Sequence, residues 1–217
     1  MVLLLKHGAE VDKRDKANET PLHLAIRWGR FVLTSILLEH DAGASVENNE
    51  GMTPLHMLSE SDTKDEDTIL NLVLLLLKHG AEVNRRDKAN QTPLHLATQR
   101  NQFSLVGILL EYGAEANAEN DQGMTPLHIL SERDTSDEDA ILNLTLLLLK
   151  HGAEVNMRDK ANQTPLHLAL RWNQFGLVGI LLEHGAETNV ENNEGMTPLH
   201  ILSELRKPGL RLESTCP

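Results

Sequence analysis

The chain predicts an all-α repeat array, a solenoid of paired antiparallel helices joined by short hairpin-like turns, and three observations predict it. TPLH occurs six times, at Thr20, Thr53, Thr92, Thr125, Thr164 and Thr197, at intervals of 33, 39, 33, 39 and 33 residues. Leucine-rich segments closing in HGAEVN recur at the same spacing, as at His79 to Asn84 and His151 to Asn156. Only 3% of the 217 residues are aromatic against 40% hydrophobic, which suits thin layers that bury their apolar faces on their neighbours better than one thick globule.

The elements follow from local chemistry. Thr before Pro is an N-cap with proline at the first helical position, where the missing N–H costs nothing. A short first helix is expected over Pro93 to about Arg100, and a second over Asn101 to Tyr112, with Phe103, Val106, Leu109 and Leu110 at helical spacing. Gly113 ends it as a left-handed C-cap. Residues Asn117 to Met124 then supply the turn, or finger, into the next TPLH. Asn18, Asn90 and Asn162 stand two residues before a TPLH threonine, where a left-handed conformation is expected and asparagine tolerates it. Asp41 replaces the helix-ending glycine in one copy and should weaken that cap.

The spacing resolves into a 72-residue unit made of a short repeat (A, 33) and a long one (B, 39). The six extra residues of B lie between its helices. Thr63 to Glu66 and Thr135 to Glu138 have capping-box spacing, so the insert should become a short acidic loop plus about one helical turn. The array is expected over 1–204, as five full repeats with a partial one at each end. The tail 205–217, interrupted by Pro208 and Gly209, is expected to be disordered.

These residues, TPLH above all, resemble the ankyrin repeat over residues 1 to about 204. The resemblance implies that the TPLH histidine bonds between neighbouring loops, and that the concave surface of fingers and first helices grips partner proteins. It also implies asparagine hydroxylation as a modification at Asn84 and Asn156, each ending L-x5-E-V-N. The alternative for these two is an asparagine that steadies the finger by side-chain hydrogen bonds.

Composition narrows the function. A net charge of −12 disfavours nucleic acid as partner. Cys216 is the sole cysteine, so neither an intramolecular disulfide nor a cysteine-based metal site is expected. The opening MVLLLKHGAEV lacks a basic n-region and matches Val73 to Val83 of the interior, so it reads as repeat structure rather than a signal peptide. No segment approaches the length of a membrane span. A cytoplasmic or nuclear location is expected, and the sequons at Asn18, Asn90, Asn143 and Asn162 should then stay unglycosylated. Proteins resembling this one are eukaryotic adaptors and inhibitors or secreted effectors of intracellular bacteria, and the sequence does not separate these.

No catalytic site is expected. Six histidines belong to TPLH and the other five, His7, His40, His79, His151 and His184, precede a helix-ending position. All eleven follow the repeat pattern, whereas a catalytic or metal-binding histidine is singular. The acidic inserts (Asp62, Asp65, Glu66, Asp67; Asp134, Asp137, Glu138, Asp139) lack the alternating ligands and glycine of a calcium loop. Phosphate loops, nucleophile elbows and dinucleotide fingerprints are missing. No cofactor or metal is expected.

Partner contact is expected instead. Residues 74–132 and 146–204 differ at ten of 59 positions: Arg85, Thr98, Gln99, Arg100, Ser104, Tyr112, Ala116, Ala118, Asp121 and Gln122 in the first copy. Several fall in fingers or at first-helix ends. The A fingers are basic and contribute Arg14, Lys16, Arg85, Arg86, Lys88, Met157 and Arg158. The B fingers are acidic and contribute Glu47, Glu50, Asp121, Gln122, Glu191 and Glu194, so neighbours should attract across about 10 Å. The first-helix ends contribute Arg27, Trp28, Gln99, Arg100, Arg171 and Trp172. Trp28 and Trp172 become Arg100 in the middle copy, which places this position at the surface. Three functions fit: recognition of a partner protein or peptide; a self-associating structural array joined head to tail through its incomplete end repeats; or the targeting part of a longer enzyme or effector.

Overall fold

A computed structural model of the chain describes residues 2–61, 66–133 and 137–205. Twelve α-helices run through these residues: α1 (Val2–Lys6), α2 (Pro21–Arg27), α3 (Phe31–Glu39), α4 (Pro54–Ser59), α5 (Glu66–Lys78), α6 (Pro93–Gln99), α7 (Phe103–Glu111), α8 (Pro126–Ser131), α9 (Glu138–Lys150), α10 (Pro165–Arg171), α11 (Phe175–Glu183) and α12 (Pro198–Leu205). No strand occurs among the described residues. Two compact units result, Met1–Asp121 and Gln122–Pro217. In the first, α2 packs on α3 and α4, α4 on α5 and α6, and α6 on α7, while α5 lies between α3 and α7. In the second, α8 packs on α9 and α10, α10 on α11 and α12, and α9 on α11. Each contact is with the same or an adjacent repeat, as a linear stack requires.

The first helices are short because both ends are fixed chemically. At each start Thr and His cap one another: the backbone N–H of Thr20, Thr53, Thr92, Thr125 and Thr164 donates to Nδ1 of the histidine three residues on, at 3.1–3.2 Å. Histidine therefore plays the part that Glu or Gln takes in the usual capping box. At the end of the A first helices, Gly29, Asn101 and Asn173 turn left-handed with φ of 60°, 55° and 57°. Asn101 accordingly lies outside α7, whose N-cap is Gln102, and the expected helix start moves two residues on.

Left-handed backbone appears at Asn18, Asn90 and Asn162 (φ 63°, 55°, 55°) and at Asp41 (φ 61°), as the turn chemistry predicted. Leu22, Leu55, Leu94 and Leu127 of the first helices and Leu38, Leu76, Leu109, Leu148 and Leu181 of the second are fully buried. Phe103, by contrast, is 48% exposed, so helical spacing alone overstated its burial. The ends differ sharply from the interior. Leu4 is 67% exposed although Leu76, its equivalent, is 0%; Leu199 is 68% exposed against 0% for Leu127.

The inserts lengthen the second helix as expected, since α5 and α9 have 13 residues against nine in α3, α7 and α11. Their starting point differs from the capping-box expectation. The N-cap of α9 is Asp137, whose carboxylate accepts from Ala140 N at 3.3 Å, and a carboxylate there also gains from the helix dipole. Thr63 and Thr135 lie outside the described residues, as do Asp62, Asp65, Asp134 and the tail from residue 206 onward.

Candidate functional site: fingers and first-helix ends

Five of the fingers are each assembled by one Asp or Asn. The Oδ1 of Asp15 accepts from Ala17 N and Glu19 N (2.8 and 2.9 Å), that of Asn48 from Glu50 N and Met52 N (2.9 and 3.0 Å), and Asp87, Asp159 and Asn192 repeat the arrangement. This is an Asx turn widened by one further bond. The flanking basic and acidic side chains are left pointing outward by that construction.

Neighbouring fingers are tied by the main chain. One backbone bond joins each junction, from Asn49 N to Ala17 O, Lys88 N to Glu50 O and Asp121 N to Ala89 O in the first unit, and from Lys160 N to Gln122 O and Asn193 N to Ala161 O in the second, all at 2.9–3.0 Å. Side-chain ion pairing between A and B fingers is narrower than the alternating charges suggested. Among the described residues it consists of Arg85 Nε to Glu47 Oε1 at 2.5 Å, and Arg85 also reaches Glu82 at 3.4 Å. Arg14 and Arg86 instead donate to the backbone carbonyls of Glu47 (3.4 Å) and Glu119 (2.6 Å). Guanidinium groups suit carbonyls as well as carboxylates, so like-charged and opposite fingers can both be bridged.

Behind the fingers the TPLH histidines span adjacent repeats. His23, His56 and His128 bond through Nε2 to the carbonyls of Met52, Gln91 and Gln163 at 3.1–3.2 Å, and His167 to those of Val190 and Met196 at 3.1 and 3.2 Å. Because Nδ1 accepts a backbone N–H, the proton sits on Nε2 and the ring is neutral. Burial lowers the pKa of His23, His56 and His167, with the carbonyl bond opposing it in each. These rings have both nitrogens occupied in structure and none left for catalysis.

Asn84 and Asn156 are similarly engaged. Asn84 Nδ2 donates to Gly113 O (2.9 Å) and its Oδ1 accepts from Glu115 N (2.9 Å), while Asn156 pairs with Gly185 O (3.1 Å) and Glu187 N (2.9 Å). Both therefore link one finger to the next repeat's helix end.

The expected contact residues sort into two groups. Arg14, Lys16, Glu50, Arg85, Arg86, Lys88, Asp121, Gln122, Arg158, Glu191 and Glu194 are exposed on fingers, with Glu47 and Met157 half-buried. Trp28, Arg100 and Trp172 are the C-caps of α2, α6 and α10, at the other end of a seven-residue helix, about 10 Å from the fingers. The tryptophans are 70% and 43% exposed, in keeping with the surface position that the Trp-to-Arg change implied. Gln99 is exposed beside Arg100, and Arg171 is half-buried beside Trp172.

Arg27 makes a two-pronged ion pair with Glu19, through Nη1 to Oε2 at 2.6 Å and Nη2 to Oε1. Glu19 is only 3% exposed, so Arg27 has a structural partner beneath the surface. Three of the ten positions that distinguish the two copies are also interior, since Thr98 is 0%, Ala116 6% and Ala118 4% exposed. Those differences concern packing rather than partner contact.

Two features escaped the sequence reading. Gln102 donates to Ser61 O (2.7 Å), and Gln174 to Leu130 O (3.0 Å) and Arg133 O (2.5 Å), so each glutamine closes the loose C-terminal end of the preceding B first helix. The Asn-Gln pair repeated at 101–102 and 173–174 was the available signal. In the second unit, Glu132 at the end of α8 has its pKa raised by burial and by Asp159, with Arg171 opposing. An open cleft of about 670 Å³ lies at the fingers of that unit, lined by Arg158, Glu187, Glu191 and their neighbours. Among the described residues no group of three or more His, Cys, Asp or Glu could hold a metal ion, and no helix is long and apolar enough to cross a membrane.

Comparison with known proteins agrees with this construction. A family model for ankyrin repeats matches in three copies, over residues 1–87, 66–159 and 136–209. Similar proteins include a neurogenic locus notch homolog protein 1 from Danio rerio (42% identical over 65 residues, 30% of this chain and 3% of the relative). An ankyrin repeat protein of Fowlpox virus (strain NVSL) is 42% identical over 55 residues, 25% of this chain and 16% of the relative. Inversin from Gallus gallus is 41% identical over 54 residues, 25% of this chain and 5% of the relative. The chain thus matches only a small part of each relative's length. The ankyrin repeat is in general a non-catalytic module for protein–protein interaction, and no catalytic family is indicated. By the family match across most of its length, and by six TPLH turns whose histidines cap their helices and, at His23, His56, His128 and His167, bridge to the next repeat, the chain belongs to the ankyrin repeat family.

Proposed function

We propose that the array binds a partner protein or peptide through its finger tips and the adjoining first helices, in the cytoplasm or nucleus. One observation carries this reading: Asp, Asn and main-chain groups build each finger, leaving the flanking charged side chains in water. Lys16, Lys88, Arg158, Glu50 and Glu194 make no side-chain hydrogen bond or ion pair among the described residues. Charged groups held on a rigid turn favour encounter and register more than affinity. Changing Lys16 and Lys88 to Glu should lower capture of a partner by about tenfold at low salt, less at high salt, and leave thermal unfolding unchanged. Equal capture by wild type and variant would remove the fingers from the binding surface.

A second reading, self-association, draws on the exposure of Leu3, Leu4 and Leu199. For a chain of these 217 residues, the open face of α1 and that of α12 are the two halves of one B repeat. Such head-to-tail contacts give concentration-dependent chains rather than closed dimers. Sedimentation should show association that Leu3→Glu with Leu4→Glu abolishes; a monomer at all concentrations rejects the reading.

A further inference from the structure

The turn between the two helices of an A repeat carries exposed aromatic rings, on the edge of the repeat away from the fingers. In the second unit Trp172 is 43% and Phe175 59% exposed. They flank a tight turn closed by Asn173 (φ 57°), with Phe175 N bonded to Asn173 O at 3.0 Å. Leaving such rings in water forgoes the free energy that burying them would release. The repeat does not require it, because Arg100 stands at the tryptophan position in the middle copy.

Two described parts of the preceding B repeat's insert, the Arg133 carbonyl and the Glu138 carboxylate, lie against this turn. Gln174, between the two rings in sequence and 2% exposed, anchors it by donating to Leu130 O and Arg133 O. A Cβ added at Gly176 would meet Glu138 Oε1 at 2.5 Å, so the absence of a side chain at 176 is what admits this carboxylate onto the first turn of α11. The middle copy has Ser104 at that position. Asp137 and Asp139 are exposed on either side of Glu138. Trp172 and Gly176, two of the positions that distinguish the copies, therefore make a ledge of two exposed rings with the Glu138 carboxylate on the helix turn next to Phe175, and with Asp137 and Asp139 adjoining Glu138 in sequence. The first unit has an exposed Trp28 (70%) at the same place, with Val32 at the Gly176 position, while the insert between α4 and α5 precedes the repeat that carries Arg100.

We propose that the Trp172–Phe175 ledge, with Asp137, Glu138 and Asp139, docks a segment of a partner protein that presents an apolar side chain flanked by lysine or arginine. The rings supply an anchor of the kind that dominates binding energy, and the carboxylates set the sign of the flanking charge. The same carboxylates repel anionic membrane surfaces and nucleic-acid phosphates. The ledge stands apart from the fingers, so its occupancy is independent of the finger reading.

The probe is a short labelled peptide with a central leucine pair flanked by lysines, compared by fluorescence anisotropy with its glutamate-flanked counterpart. The expected result is saturable binding of the lysine peptide alone. It should weaken about tenfold in Trp172→Arg and in the double variant Asp137→Asn with Glu138→Gln, and persist in the Lys16→Glu, Lys88→Glu variant. Trp172→Arg installs the residue that the middle copy already carries, and circular dichroism checks that the fold is kept. Equal binding of both peptides, lack of saturable binding, or binding indifferent to Trp172→Arg would each overturn the proposal. Loss in the finger variant with retention in the ledge variants would assign the peptide to the fingers and overturn it as well.

Discussion

Replacing Arg27 with alanine is expected to destabilise the chain by about 2–3 kcal/mol, more than any change to an exposed finger charge. Glu19 is 3% exposed and meets Arg27 through both guanidinium Nη atoms. Removing one member of a buried pair leaves the other desolvated, at a cost of about 3–5 kcal/mol. The Arg27 side chain is 43% exposed, so water entering the vacated space moderates that figure. The sister repeats supply the control, because Gln91 and Gln163 stand at the Glu19 position. Glu19→Gln should recover at least half of the loss in the Arg27→Ala background, since it replaces a stranded charge with a neutral amide. Urea unfolding of the two single variants and the double variant checks this. An Arg27→Ala midpoint equal to wild type, or a double variant no better than the single, refutes the assignment.

Acidification should unfold the array through its capping histidines. In the unfolded chain a histidine takes up a proton near pH 6.5. Folded His23, His56 and His167 resist it because burial lowers their pKa. Their stability contribution is therefore complete above about pH 6.5 and falls as pH drops toward their folded values. Each can remove at most about 1.4 kcal/mol per pH unit. Glu132 opposes this, since partial burial raises its pKa and makes the folded state the better proton acceptor, but the residue remains open enough to water for solvent to screen its contribution. Three histidines outweigh one carboxyl, and a net loss of up to about 3 kcal/mol between pH 6.5 and 5.5 is expected. Protonation would also put a hydrogen on Nδ1, facing the threonine N–H that it now accepts. Stability that stays level across this interval would show that the rings accept protons without loss of the cap.

The parts of the fold that were legible in the sequence are those fixed by short-range chemistry. Thr-Pro sets where each first helix begins, and Asn18, Asn90 and Asn162 declare their left-handed turns because few other residues adopt them. Contacts between repeats were less legible. The Glu19–Arg27 pair joins a finger end to the far end of its helix, and Gln174 reaches a carbonyl 44 residues away, so no local pattern announces either. The start of α9 was hard to place because Thr135 and Asp137 both satisfy capping rules, and the described helix has Asp137 as its N-cap. Differences between copies were read as surface variation, yet Thr98 and Ala116 are interior. A change from Thr98 to Leu170 or from Ala118 to Val190 alters volume within a layer, which sequence comparison alone cannot tell from contact with a partner.

The finger junctions have a consequence for how such a chain can change over generations. Every junction is closed by one main-chain bond whose donor and acceptor belong to any residue, as between Lys88 N and Glu50 O or Lys160 N and Gln122 O. An A repeat therefore fits after a B repeat whatever the finger charges, provided the B finger keeps its glycine, since a Cβ at Gly51 or Gly123 would meet Lys88 N or Lys160 N at 3.0 or 2.9 Å. Recombination between misaligned copies can add or remove 72 residues at a time and still regenerate junctions of the same two kinds. Length becomes a freely heritable variable, and each new copy arrives with finger and edge positions open to mutation while its joints to the neighbouring copies already work.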